Sequence, residues 1–189
     1  QTNVVVKPKP ATPVANNDGP KCTGEDITLS TTEVVGANYK WTGPNGFIRD
    51  VTTNTTVIAA ANAANVGEYK LWILSGGCLS DSATTTVAIK ATPATPVASN
   101  DGPKCEGETI TLSTPLVSGA TYEWSSLVNG FNNNVQNPQL LSATPALNGI
   151  YNLKITVDGC ESAPASTTVT VKPKPATPTV SNDGPKCIG

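Results

Sequence analysis

No histidine occurs anywhere in the 189-residue sequence. That absence excludes Ser–His and Cys–His nucleophilic pairs, His-ligated zinc and the commonest general base. Charge is scarce as well. Only 14% of residues are Asp, Glu, Lys or Arg and the net charge is −2, which argues against nucleic acid or an anionic membrane as a partner. No run approaches the ~20 apolar residues that span a bilayer, so this segment is not expected to insert into a membrane. No signal peptide is seen, but an excerpt from inside a longer chain is not expected to carry one, so nothing is excluded by it. Two carboxylates could hydrolyse a glycosidic bond without histidine, but here the acidic residues fall singly at turns and on polar strand positions. The sequence therefore predicts no catalysis, no metal and no cofactor.

What the chain does have is repetition. Asn-Asp-Gly-Pro-Lys-Cys stands at residues 17–22, 100–105 and 182–187, so its cysteine returns after 83 and then 82 residues. A fixed period of this length marks an array of similar domains. Ala11-Thr12-Pro13 returns as Ala94-Thr95-Pro96, Tyr39-Lys40-Trp41 as Tyr122-Glu123-Trp124, and Gly77-Cys78 as Gly159-Cys160. The expected division is the end of a preceding repeat at 1–10, complete repeats at 11–93 and 94–175, and the start of a third at 176–189. A chain that opens and closes in mid-repeat is expected to be an excerpt from a longer array. Domains of about 82 residues bury only roughly 60–65% of their unfolded surface, so a covalent staple would help them.

Each repeat reads as strands. Ile27-Thr28-Leu29, Tyr39-Lys40-Trp41, residues 69–73 and residues 85–89 alternate apolar and polar, as half-buried strands do, and so do their counterparts at 110–112 and 151–157. Asn45-Gly46 and Asn129-Gly130 suit positive φ, and Asp158-Gly159 reads as a two-residue hairpin loop. Helical periodicity is absent apart from a weakly helix-prone alanine-rich stretch at 59–64. Many short Thr- and Val-rich strands in so few residues predict a small all-β sandwich. The joining segments, such as Lys7-Pro8-Lys9-Pro10 and Lys172-Pro173-Lys174-Pro175, carry alternating prolines. Such segments are semi-rigid, and an extended rod of domains is expected.

Gly67-Glu68-Tyr69-Lys70-Leu71 and Gly149-Ile150-Tyr151-Asn152-Leu153 resemble the Gly-x-Tyr-x-Cys opening of the sixth strand of the immunoglobulin-like fold. The resemblance implies tandem immunoglobulin-like β-sandwiches. It makes Trp41 and Trp124 the third-strand core tryptophans and places Leu71 and Leu153 where the sixth-strand cysteine usually stands. The tryptophans are then expected to pack on aliphatic side chains.

The cysteines lie elsewhere. Cys22 and Cys105 precede the Ile-Thr-Leu strand, whereas Cys78 and Cys160 follow the Gly-x-Tyr strand. One pair per complete repeat at constant spacing predicts Cys22–Cys78 and Cys105–Cys160 disulfides in an oxidising, extracellular setting. Cys187 is left unpaired, its partner expected in the rest of a third repeat. A plain immunoglobulin topology pulls the other way, because its second strand starts at the end opposite the sixth-to-seventh hairpin. A strand of ~7 residues covers ~23 Å, and bridged Cα atoms lie within ~7 Å. Under that topology Cys22–Cys160 is the alternative.

Three further features are candidate sites. Alternation turns Trp72 outward where the second repeat has Lys154, so it is a possible surface contact. Asn-Asp-Gly-Pro offers too few carboxylates for a hard-cation loop and reads as a turn. Asn54-Thr55-Thr56 is a formal N-glycosylation triplet. Asp81-Ser82-Ala83 resembles the O-glycosylation pattern of Bacteroidetes, making Ser82 a possible glycosylation site, although the second repeat departs from it with Glu161-Ser162-Ala163.

The whole unit, Cys-x-Gly-Glu-x-Ile-Thr-Leu at 22–29 and 105–112 followed by Tyr-x-Trp, Gly-x-Tyr and Gly-Cys-x-Ser, resembles the immunoglobulin-like repeats of giant Bacteroidetes surface proteins. It is most similar to the gliding-motility adhesins of flavobacteria, the SprB-like proteins. The resemblance implies type IX secretion, outer-membrane display and non-catalytic stalk repeats in a surface adhesin. Its expected partners are an external surface or polysaccharide and the motility and secretion machinery. The alternative from a different class is a carbohydrate-binding or spacer array attached to a secreted hydrolase. An exposed aromatic platform recurring in every repeat would favour it, and Trp72 does not recur.

Overall fold

The computed structural model of the chain describes residues 6–182, 184, 185, 187 and 189. It forms two compact units, Gln1–Pro93 with Val157–Glu161, and Ala94–Thr156 with Ser162–Gly189.

The strands of the first repeat are β1 (Asn16–Asn17), β2 (Lys21–Cys22), β3 (Ile27–Ser30), β4 (Asn38–Gly43), β5 (Phe47–Val51), β6 (Thr55–Ile58), β7 (Gly67–Ser75), β8 (Cys78–Leu79), β9 (Ala83–Val87) and β10 (Ile89–Lys90). One sheet has the order β1-β3-β6. The other runs β5-β4-β7, with β8 and β9 both paired to the long β7. A short parallel pair joins β2 to β10, Lys90 standing opposite Cys22. Alternation decides which side chains turn inward. Ile27 and Leu29 from β3, Tyr39 and Trp41 from β4, and Tyr69, Leu71 and Ile73 from β7 meet between the sheets in one buried cluster.

The second repeat follows the same plan. Its strands are β11 (Ser99–Asn100), β12 (Lys104–Cys105), β13 (Ile110–Ser113), β14 (Thr121–Ser126), β15 (Phe131–Asn133), β16 (Gln139–Leu140), β17 (Gly149–Val157), β18 (Cys160–Glu161), β19 (Ala165–Val169) and β20 (Val171–Lys172). Sheets β11-β13-β16 and β15-β14-β17 enclose Ile110, Leu112, Tyr122, Trp124, Tyr151, Leu153 and Ile155. The expected all-β sandwich is thus the observed fold. Trp41, Trp124, Leu71 and Leu153 are all fully buried.

The Gly-x-Tyr motif has a structural purpose. The Tyr69 hydroxyl donates to the Asn65 carbonyl four residues upstream at 3.0 Å, and Tyr151 donates to Leu147 at 3.1 Å. This tyrosine corner pins the crossing loop to the start of β7 or β17. Burial pushes both phenols up from the usual range, against the lowering effect of their hydrogen bonds.

The within-repeat disulfides expected from spacing are not what forms. Cys22 is bonded to Cys160, while Cys78, Cys105 and Cys187 are free thiols. Both ends of the bond belong to the first compact unit, which takes in the tip of the β17–β18 hairpin. The physical reason is the direction of β7. Cys22 lies beside Lys90, where the first repeat ends. Cys78 lies just past the far end of β7, near the Lys7 carbonyl, where that repeat begins. A nine-residue strand spans about 30 Å, far beyond the reach of a disulfide.

Candidate functional site

The repeated hexapeptide spends its polar groups inside its own fold. The Asn17 carboxamide accepts from Gly19 N–H at 2.9 Å and donates to Thr85 Oγ1 and the Thr86 carbonyl. Asn100 repeats this with Gly102, Thr167 and Thr168. The peptide bonds Gly19–Pro20 and Gly102–Pro103 are both cis. Asp18 accepts from Thr28 N–H and Asp101 from Thr111 N–H, each at 2.8 Å. Lys21 and Lys104 stand 3.3 and 3.4 Å from those aspartates. The motif is a clamp that fastens the edge segment to β3 and β9, or to β13 and β19. Among the described residues no group of three or more His, Cys, Asp or Glu could hold a metal ion.

These bonds fix a pH dependence. Slight burial raises the Asp18 carboxyl, but the Thr28 N–H and the Lys21 ammonium outweigh it and the net shift is downward. For Asp101 the Thr111 N–H is the leading influence, opposed by slight burial and aided by Lys104, and the shift is again downward. A depressed folded-state pKa stabilises the protein fully above the ordinary aspartate value of about 3.9, and that contribution drains away as pH falls through the lower folded value. Thermal melts between pH 5 and 2 are therefore expected to lose stability with acid. Asp18→Asn combined with Asp101→Asn is expected to flatten that slope while keeping the N–H acceptors. An unchanged slope would remove the clamp from the account.

The surface that distinguishes the two repeats is the solvent side of the β5-β4-β7 sheet. Trp72 is half-buried there, its Cα opposite Lys40 of β4, which in turn stands opposite Asp50 of β5. Leu74, Leu79 and Ile48 share this face and are 39%, 47% and 55% exposed. A groove of about 470 Å³ runs along it, lined by Lys40, Asp50, Val51, Leu74 and Leu79 among others. The same face of the second repeat carries Asn132, Lys154, Thr156 and Glu161. Trp72 was legible from alternation. Ile48, Leu74 and Leu79 were not singled out, although comparing the repeats position by position shows each as an apolar-for-polar exchange. Ser82 is exposed, next to Asp81, whose carboxylate takes the Lys9 ammonium at 2.6 Å. The Asn54 carboxamide donates to the Thr31 carbonyl at 2.8 Å and is only partly exposed.

No sequence-family model matches the chain, and no curated protein matches it. Similarity is found among solved structures. A marsupial T cell receptor is 12% identical, with 88% of this chain and 74% of that one covered and a TM-score of 0.52. A mouse coronavirus receptor-binding domain complexed with its murine receptor gives 12% identity, 85% and 100% coverage and a TM-score of 0.46. A two-domain fibronectin type-III segment of chicken tenascin gives 14% identity, 84% and 98% coverage and a TM-score of 0.35. At such identities the likeness speaks to fold alone, and the receptor match carries it: the sandwiches are immunoglobulin-like. Among the described residues no helix is long and apolar enough to cross a membrane.

Proposed function

We propose that this chain is a non-catalytic segment of a large bacterial surface adhesin, its repeats supplying length between the cell and whatever is gripped. The observation that carries the reading is the duplicated clamp. Two sandwiches keep the same Asn-Asp-Gly-Pro-Lys-Cys bonds down to the partner positions, and those bonds serve the fold. Strictly repeated construction without a repeated surface site suits a spacer. The repeat boundaries at 11–93 and 94–175, the rod expected from the proline spacers, type IX secretion, outer-membrane display and a part in gliding all belong to this proposal. Their support is the resemblance of the repeat motifs to flavobacterial gliding adhesins.

A second reading rests on Trp72. A half-buried, outward-facing indole beside Lys40 and a groove can stack on a sugar ring, as a carbohydrate-binding module of a secreted hydrolase would. A glycan array probed with the two-repeat chain separates the readings. The spacer reading expects no glycan retained above background and no difference between the native chain and Trp72→Ala. Specific retention that falls at least tenfold in Trp72→Ala would replace the spacer by the binding module.

A further inference from the structure

We propose that the strand cysteine of each repeat is disulfide-bonded to the hairpin cysteine of the repeat that follows it, so that an array of these repeats is covalently chained a second time outside its backbone. Cys22–Cys160 is one link of this chain. Cys78 and Cys105 are the open ends of the links on either side. The inference does not depend on whether the array serves adhesion.

Three observations carry it. First, Cys105 occupies in its repeat the position Cys22 occupies in the first. Each is the second residue of a Lys-Cys strand paired in parallel with the end of its own repeat, Cys22 opposite Lys90 and Cys105 opposite Lys172. The following backbone N–H donates to that lysine's carbonyl at 2.9 Å in both cases. Each cysteine N–H is also capped by the glutamate three residues on, at 2.7 and 2.6 Å.

Second, the two hairpins are met by equivalent lysines. Lys90 Nζ donates to the Asp158 carbonyl at 2.8 Å beside the Cys22–Cys160 bond. Lys7 holds the place of Lys90 in the spacer sequence, and its Nζ donates to the Gly76 carbonyl at 3.0 Å, the position equivalent to Asp158. The hairpin of the first repeat is thus gripped just as the bonded one is.

Third, the place of Cys78 suits a strand cysteine as its partner. Cys78 Sγ lies 3.9 Å from the Lys7 carbonyl. Lys7 corresponds to the residue against which a strand cysteine pairs. A Lys-Cys strand laid along Lys7, as Lys21-Cys22 lies along Ile89-Lys90, would bring its cysteine to Cys78. A bond within the repeat is ruled out by the length of β7, as shown above.

Each link forms when the two thiols together lose two protons and two electrons. An external small-molecule disulfide accepts both and leaves as two thiols. Such an oxidant fits the extracellular redox setting in which structural disulfides persist.

Two lengthened chains test the proposal. Placing residues 94–165 ahead of Gln1 completes a repeat in front, and placing 108–175 after Gly189 completes one behind. Each is refolded in a reduced and oxidised glutathione buffer, alkylated and mapped without reduction. The front-lengthened chain is expected to join the added copy of Cys105 to Cys78, whose alkylation falls from near-complete to trace. The back-lengthened chain is expected to join Cys105 to the added copy of Cys160. Cys22–Cys160 is expected in both and in the native chain. Cys78 still alkylated in the front-lengthened chain, or Cys105 in the back-lengthened one, while Cys22–Cys160 is intact, overturns the proposal, and so does either cysteine bonded inside its own repeat. Absence of Cys22–Cys160 from the oxidised native chain overturns it as well. Should one lengthened chain fail to fold, the other decides.

Discussion

Trp124→Ala is expected to destabilise the second sandwich by about 3–5 kcal/mol, the largest single-residue effect in that repeat. The indole is fully buried between the two sheets, in the cluster that includes Leu112, Leu153 and Ile155. Its removal costs the transfer free energy of the ring and leaves a cavity that two hydrogen-bonded sheets cannot close. Trp124 Nε1 also donates to the Gln136 carbonyl at 3.0 Å, so truncation unpairs a partly buried acceptor. For a domain of this size the loss corresponds to a fall in Tm of about 12 °C or more. Trp41 provides an internal control. It is equally buried, but its Nε1 has no hydrogen-bond partner among the described residues. Phenylalanine at Trp41 therefore removes an unsatisfied donor, whereas phenylalanine at Trp124 removes a satisfied one. Urea denaturation is expected to rank Trp124→Phe as more destabilising than Trp41→Phe by about 1 kcal/mol. Equal losses, or the reverse order, would show that the Gln136 bond contributes nothing.

Gly43→Ala is expected to cost the first sandwich about 3 kcal/mol, at the top of the usual range for overpacking. A Cβ at Gly43 would lie 2.4 Å from both Cδ1 and Cε1 of Tyr69. That ring has little freedom to move. It is fully buried, tied through its hydroxyl to Asn65, and met edge-on by Phe47 at a centroid distance of 5.2 Å. The position belongs to β4, where the adjoining residue Thr42 pairs with Lys70 next to Tyr69, so the backbone cannot swing away without breaking the ladder. A double-mutant cycle with Tyr69→Leu isolates the clash. The pair is expected to cost less than the two single changes added together, because the smaller side chain vacates the contested space. Strict additivity would place the cost of Gly43→Ala elsewhere.

How much of this was legible beforehand depends on the range of the interaction. Ile27-Thr28-Leu29, Tyr39-Lys40-Trp41 and residues 151–157 announced their strands because successive side chains of a strand point to opposite faces. Asn45 and Gly46 announced a positive-φ turn for a similarly local reason, and their φ values are 52° and 74°. Gly-x-Tyr carried its corner because the hydroxyl reaches back only four residues. Trp72 was readable as outward, yet the company it keeps was not. Lys40, Asp50 and Leu79 join it from other strands, and their register is set by the whole sheet.

The cysteines mark the boundary most clearly. Equal spacing in two repeats suggested bonds within each repeat, but a periodic set of cysteines is matched equally well by a staple inside each repeat and by one to the next, which for Cys22 and Cys160 is 138 residues away. The sequence by itself determined the strands and the inward-facing core, which follow from backbone periodicity, and the recurrence of the hexapeptide, Tyr-x-Trp, Gly-x-Tyr and Gly-Cys from repeat to repeat. Only the tertiary structure decided that Cys22 and Cys78 lie at opposite ends of the first repeat and that Cys22 meets Cys160. Disulfide partners are chosen by distance in space, and the span of β7 sets that distance.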